Sequence, residues 1–194
     1  MGLRDILGGK KKLAEPADDR LFALSTARIT LQAELNLRPA GVAAVTFKPL
    51  SSGDFDRVDS DMEALLQAAA RSAGSQVERK SDEYGFEWVI VRDDDFEDVV
   101  TTIHTVAAEL TAQGFGAQLL AAAFRFESTD NFADVSKPVY WIYGFKPGKF
   151  WPFIPIAENQ RDNATELELK AKLEKELPIE QDLTRWLALF DLPI

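Results

Sequence analysis

The sequence predicts an α+β domain in which an antiparallel sheet, built from successive hairpins, carries helices on one face. Two patterns indicate this class. Segments in which apolar and polar residues alternate, as in half-buried strands, occur in pairs separated by turn residues. Between these pairs lie segments whose apolar residues fall on one face of a helix. Hairpins that alternate with helices favour an antiparallel sheet, and the predicted order is ββαββαβββαα.

The first predicted hairpin follows one helical turn at residues 20–25. Residues 29–37 alternate apolar and polar side chains, which predicts a strand. Pro39-Ala40-Gly41 supplies the turn, and residues 42–47 are the returning strand. A helix is then predicted for residues 54–72, because its apolar residues share one face.

The second predicted hairpin joins a strand near residues 77–80 to a strand at residues 86–91. A helix at residues 95–113 follows, and Gly114 is its predicted C-cap. Asp93-Asp94-Asp95 stands just before this helix, and three adjacent carboxylates can suggest a metal site. Asp is, however, a preferred N-cap, and acidic residues in a first turn suit the helix dipole, so capping is the favoured interpretation.

The third predicted hairpin joins residues 119–126 to residues 139–145, and the chain continues as an extended run at residues 150–156. Pro152 and Pro155 exclude this run from a central strand, because proline cannot donate a ladder hydrogen bond. It is therefore predicted to be an edge strand or an extended wall.

Two helices are predicted after this run. The first begins at Asp162 or Asn163 and turns its leucines inward, and Pro178 ends it. The second spans residues 180–190 and packs Trp186 and Phe190 against the body.

Composition excludes several classes of function. A net charge of −10 in 194 residues argues against nucleic-acid binding, which needs clustered Lys and Arg. The chain has no Cys, which removes disulfides and thiolate sites. Neither a run long enough to span a membrane nor a signal peptide is found. We expect a cytoplasmic protein with a flexible tail at residues 1–17 and one domain at residues 18–194.

No catalytic motif is found, and His104 is the one histidine of the chain. Its place beside an apolar helix face is typical of a partly buried structural residue, and no motif sets a nucleophile beside it. A carboxylate pair remains open as an alternative, because 32 acidic residues allow many pairs. Binding or assembly is favoured over catalysis, without a metal or cofactor.

The first residues have the composition of an amphipathic foot for a partner or an anionic membrane surface. The favoured alternative is a frayed terminus kept soluble by its lysines. The residues of this foot are Leu3, Ile6, Leu7, Lys10, Lys11 and Lys12.

Residues 139–163, VYWIYGFKPGKFWPFIPIAENQRDN, form the most unusual segment of the sequence, because lysines flank a turn among many aromatic residues. Core packing under the helices is favoured for the strand before the turn. After the turn, exposure as a contact surface is at least as well supported, because a proline-containing edge is poorly placed for a core. The candidate partner-binding residues are Lys146, Lys149, Phe150, Trp151, Pro152 and Phe153.

The pattern K-x-G-K-F-W-P-F-x-P, then Q-R-D-N, an acidic helix and E-L-P-I-E-Q-D-L-x-R-W, resembles the PspA-associated protein family PspAB. The opening M-G-L-R-D-I-L-G, the R-L-F-A-L-S-T-A-x-I-T-L-Q segment and the D-E-Y-G-F-x-W hairpin are similar too. The positions that carry the resemblance best are Lys146, Gly148, Phe150, Pro152, Phe153, Arg161, Asp162 and Asn163.

The resemblance implies a non-enzymatic accessory or adaptor role in a PspA-type envelope-stress response, with a PspA-like or other stress-response protein as partner. Within the segment, we interpret Arg161, Asp162 and Asn163 as a structural latch onto the next helix, with Asp162 or Asn163 as its cap. The alternatives are a peripheral anionic-lipid binder at the inner membrane face and an uncharacterised ligand-binding domain. The element order also resembles secretion-chaperone-like domains, a likeness of fold alone.

Overall fold

Six strands form one antiparallel sheet in the computed structural model, which describes residues 18–48, 64, 67–68, 74–128 and 137–194. The strand order across the sheet is β2-β3-β1-β4-β5-β6, so β1 is central and β6 lies at an edge. The strands are β1 (Leu37–Phe47), β2 (Gln76–Ser81), β3 (Glu87–Arg92), β4 (Leu119–Ser128), β5 (Val139–Gly144) and β6 (Lys149–Phe153). The predicted α+β class with an antiparallel sheet is confirmed.

Three α-helices accompany the sheet in the described ranges: α1 (Ala23–Leu35), α2 (Phe96–Leu110) and α3 (Asn163–Leu173). A 3-10 helix, Asp18–Phe22, precedes α1, and a single π turn, Thr111–Phe115, follows α2. A small second sheet pairs β7 (Pro155–Ala157) with β8 (Gln160–Arg161). None of the described helices is long and apolar enough to cross a membrane.

The main sheet has two differently covered faces. On the first face, Ala43 and Val45 of β1 lie in a core with residues of α1 and α2 such as Leu31 and Val99. On the second face, a smaller buried cluster is covered by residues from the last part of the sequence. That cluster is Val42, Ala44, Trp88 and Ile90.

The strand predicted at residues 29–37 is wrong, because residues 23–35 form helix α1. Leu24, Ala27, Leu31 and Leu35 recur at helical spacing and are buried. Ile29, which the alternating pattern placed inside, is 64% exposed. Leu31 and Leu35 satisfy both periodicities, which is why a short apolar run can be assigned to either element.

The predicted turn at Pro39-Ala40-Gly41 lies inside β1, so the first predicted hairpin does not exist. Asn36 ends α1 in the left-handed region with φ 51°, and the strand begins one residue later. The pairing of β1 with β4 shifts register between Pro39 and Ala43, so the turn-forming residues make a β-bulge. β1 then pairs with β3 and β4.

The helix predicted at residues 180–190 is also wrong. Only Leu183–Arg185 forms a short 3-10 helix, and residues 186–194 have neither helix nor strand. Backbone carbonyls in this segment accept hydrogen bonds from side chains instead of from helical N–H groups. Arg161 donates to the Trp186 carbonyl at 2.9 Å, and Trp151 donates to the Leu187 carbonyl at 3.1 Å.

Other predicted elements agree with the structure. The second hairpin forms β2 and β3, and the third forms β4 and β5. Asp95 is the N-cap of α2 and accepts a hydrogen bond from the Glu97 N–H, as the capping interpretation of the acidic triplet predicts. The helix predicted at residues 54–72 lies outside the described residues, except for Ala64 and residues 67–68, which are helical.

Candidate functional site

The turn between β5 and β6 places Lys146 at one end of the sheet. The Gly148 N–H donates to the Gly144 carbonyl at 2.9 Å and closes the turn. Gly148 has a φ of 62°, which glycine adopts without strain. A Cβ on Gly144 would lie 2.8 Å from the Trp151 ring and 2.9 Å from Pro147. The two glycines therefore let the strands close tightly around the Trp151 ring.

The expected exposure of the aromatic residues after this turn is wrong. Phe150, Trp151, Pro152 and Phe153 are all buried. The Phe150 ring lies 4.7 Å from the Tyr143 ring, and the Trp151 indole donates to the Leu187 carbonyl. These side chains hold β6 in the core, so a role for them in partner contact stays a prediction without an exposed surface to support it.

The burial of β6 follows from the way in which its outer edge is covered. The Phe150 N–H donates to the Pro178 carbonyl, and the Phe150 carbonyl accepts from the Glu180 N–H, both at 2.9 Å. Farther along, the Ile154 N–H donates to Glu166 at 2.8 Å. β6 is an edge strand, as predicted, but these outward backbone groups already have partners, which protects the edge from pairing with another chain.

Lys149 forms an ion pair with the buried carboxylate of Glu180. The Lys149 Nζ lies 3.6 Å from one Glu180 oxygen, and Arg185 lies 3.9 Å from the other. The backbone N–H of Asp182 donates to this carboxylate, and this bond together with the two cations lowers the pKa of Glu180. Lys149 is thus engaged inside the fold, whereas the side chain of Lys146 is exposed and forms no ion pair with a described residue.

Arg161 connects three parts of the structure through its guanidinium. It donates to both Glu166 oxygens at 3.0 and 2.8 Å, to the Trp186 carbonyl and to the Pro152 carbonyl. Its guanidinium also lies over the Phe153 ring, 5.1 Å from the centroid. Glu166 is 1% exposed, and burial raises the pKa of its carboxyl, an effect that Arg161 opposes.

Asp162 is the N-cap of α3, and its side chain accepts from the Thr165 N–H at 3.1 Å. Hydrogen bonds from Thr165 lower the pKa of the Asp162 carboxyl. Asn163 is the first residue of α3 and lines a cleft of about 130 Å³ with Leu167 and Leu183. That Arg161, Asp162 and Asn163 act together as a latch stays a prediction.

A cleft of about 330 Å³ lies beside Lys146, between the β5–β6 turn and the end of α2. We call it the turn cleft. Its lining residues are Thr111, Gly116, Ala117, Leu119, Phe145 and Lys146. Gly116 permits close approach here, because a Cβ at this position would lie 3.0 Å from Thr111.

Leu120 follows Leu119, which lines the turn cleft, and is 41% exposed. The register of β1 and β4 shifts at this point, with Thr46 opposite Ala121 and Phe47 opposite Leu119, so Leu120 is the extra residue of a bulge. Its carbonyl accepts from the Phe145 N–H at 3.2 Å. Bulges redirect side chains and are frequent at functional sites. Leu120 is not recognisable as a site residue from the sequence, in which only the closely spaced Gly114 and Gly116 indicate that the chain turns sharply nearby.

His104 has the structural contacts expected of it. Its Nε2 lies 3.5 Å from an Asp19 oxygen, and its ring lies 4.9 Å from the Phe22 ring. In the described ranges, no group of three or more His, Cys, Asp or Glu side chains could hold a metal ion. The N-terminal foot lies outside the described residues.

The fold is that of an α+β protein, and the turn cleft with the neighbouring Leu120 is its candidate site. A family model described as PspAB, PspA associated protein B, matches residues 1–194, and the chain belongs to this family. The family name indicates an association with PspA and is consistent with an accessory role. No curated protein and no solved structure matches the chain.

Proposed function

We propose that this chain is a non-enzymatic adaptor of a PspA-type envelope stress response and that it binds a PspA-like protein through the turn cleft. The observation that carries the proposal is the position of exposed Lys146 beside an apolar-lined cleft and the exposed Leu120. Family membership supplies the class of partner. The cytoplasmic location expected from the sequence belongs to the same proposal.

The chemistry of the turn cleft suits a protein partner. Its volume of about 330 Å³ is at the low end of the roughly 300–1,000 Å³ typical of small-molecule pockets. Phe145 and Leu119 give it an apolar floor, and Lys146 gives its rim a positive charge on a chain of net charge −10. A partner segment that inserts an apolar side chain and places a carboxylate near Lys146 would match both features.

The test is a binding measurement between this chain and a purified PspA homologue from the same organism. We expect Leu120→Ser to weaken binding about tenfold or more, because it removes an apolar anchor of the interface. We expect Lys146→Glu to weaken binding as strongly, because it sets a negative charge against the partner's carboxylate. Lys175→Glu and Ile29→Ser are matched controls, because they introduce the same side chains at exposed positions that do not line the turn cleft. Unchanged affinity of both site variants would remove the turn cleft as the contact surface.

A further inference from the structure

The second face of the sheet is an apolar surface with small residues at its centre. One row of paired residues crosses five strands: Ile90, Ala44, Ala123, Ile142 and Trp151. The adjacent row contains Trp88, Thr46, Ala121 and Gly144. Small side chains between Trp88 and Trp151 leave a shallow trough across the sheet, and every residue of both rows is buried.

Residues 187–194, which we call the cover segment, lie over this trough. Leu189, Leu192 and Ile194 pack against the second-face cluster, and all three are only partly buried. Phe190 contacts Phe153 edge-on with ring centroids 5.3 Å apart. The cover segment therefore contacts the sheet through Leu189, Phe190, Leu192 and Ile194, although it has neither helix nor strand and turns at residues 190–191.

The cover segment is attached to the sheet by few directional contacts. The Trp151 indole donates to the Leu187 carbonyl at 3.1 Å, and the Tyr140 hydroxyl donates to the Ile194 carbonyl at 2.7 Å. Among the described residues, no backbone–backbone hydrogen bond joins residues 188–194 to the rest of the chain. A segment held by partly buried side chains, without a backbone ladder, opens more easily than the strands below it.

Thr46, which lies in the second of these rows, carries a buried polar group without a partner. Thr46 is 3% exposed, and its Oγ1 has no hydrogen-bond partner within the described structure. A buried hydroxyl without a hydrogen-bond partner lowers the stability of the fold, and such groups are uncommon in native structures. An extended peptide that placed a backbone N–H or carbonyl over Thr46 would supply the missing hydrogen bond.

We propose that the second face is a binding surface for an apolar peptide of a partner protein and that the cover segment occupies it in cis. The partner segment has the chemistry of the cover segment, L-A-L-F-D-L-P-I, in which apolar side chains predominate and pack on the small residues of the sheet. When the cover segment leaves, Trp88, Trp151 and the small residues between them become available. This surface uses residues other than those of the turn cleft, so it does not depend on the function proposed above.

The test uses the full chain and a fluorescein-labelled synthetic peptide with the sequence of residues 186–194 behind a lysine tag. Binding is followed by fluorescence anisotropy. We expect the double variant Leu189→Ala/Leu192→Ala to bind the peptide about tenfold more tightly than the unmodified chain, because a weaker cover raises the binding-competent fraction. Leu167→Ala/Leu183→Ala is the matched control, since it removes two leucines that are exposed outside the cover segment.

A second variant and a second peptide keep the test decisive. Tyr140→Phe removes only the hydrogen bond to the Ile194 carbonyl, and we expect about twofold to fivefold tighter peptide binding. Tyr140→Phe still tests whether the cover segment competes with the peptide if the double variant fails to fold. A peptide with Asp in place of its leucines is expected not to bind. Equal affinity of variant and unmodified chain, equal binding of the Asp peptide, or dimerisation of the variant without peptide binding would each overturn the proposal.

Discussion

Replacing Arg161 with Met is expected to destabilise the fold strongly, because it leaves the Glu166 carboxylate buried without its cation. Glu166 is 1% exposed and receives two hydrogen bonds from Arg161, at 3.0 and 2.8 Å. Removing one member of a buried ion pair costs about 3–5 kcal/mol of unfolding free energy. The Trp186 and Pro152 carbonyls lose a donor in the same variant, so we expect a value near the upper end of this range.

The effect of Arg161→Met should depend on pH in a defined direction. Burial raises the pKa of the Glu166 carboxyl above its ordinary value, and the loss of Arg161 raises this pKa further. An acid with a raised folded-state pKa binds more protons in the native state, so its contribution to stability falls as pH rises through that pKa. The difference in stability between the unmodified chain and the variant should therefore be largest at neutral pH and shrink in acidic solution, as Glu166 becomes protonated.

Urea unfolding followed by tryptophan fluorescence, at neutral and mildly acidic pH, measures this difference directly. The control is Arg161→Met/Glu166→Gln, which removes both charges and should be more stable at neutral pH than Arg161→Met alone. A single variant within about 0.5 kcal/mol of the unmodified chain at neutral pH would refute the argument. A stability difference that did not change with pH would show that the Glu166 charge is not its cause.

Two further predictions concern local packing and capping. Gly144→Ala should lower stability by about 1–3 kcal/mol, because its Cβ would lie 2.8 Å from the Trp151 ring; a melting temperature equal to that of the unmodified chain would contradict this. Asp95→Ala should cost about 1 kcal/mol through loss of the α2 N-cap, whereas Asp94→Ala should stay within about 0.5 kcal/mol; equal effects in thermal unfolding would speak against the capping assignment.

The sequence predicted correctly those elements whose local pattern fits only one type of secondary structure. The helical face of α2, the capping role of the acidic triplet before it and the hairpin of β2 and β3 were all recognised from spacing and turn residues. The error at α1 arose because Leu31 and Leu35 fit a helix and a strand equally well. Only the position of the segment in the fold, where Leu24 and Ala27 complete the buried face, decides between the two.

Only part of the candidate site could be predicted from the sequence, and the physical reason differs from the one that applies to α1. Sequence placed Lys146 at a turn, which the structure bears out, but it could not show that residues 178–180 and the cover segment return to bury β6. Leu120 became exposed only through the bulge opposite Thr46 and Phe47, a register effect between strands that are distant in sequence. Contacts of this kind are set by the whole fold and leave little trace in local composition.

The prolines that excluded residues 150–156 from a central strand also explain how β6 can be buried at an edge. Pro152 has no N–H that would need an outward partner, and its carbonyl accepts from Arg161. On one side of Pro152, the backbone of Phe150 is hydrogen-bonded to Pro178 and Glu180. On the other side, the backbone of Ile154 is hydrogen-bonded to Asp162 and Glu166. Another strand could pair with this edge only by breaking those bonds. The outer edge of β6 is therefore not expected to bind a partner strand.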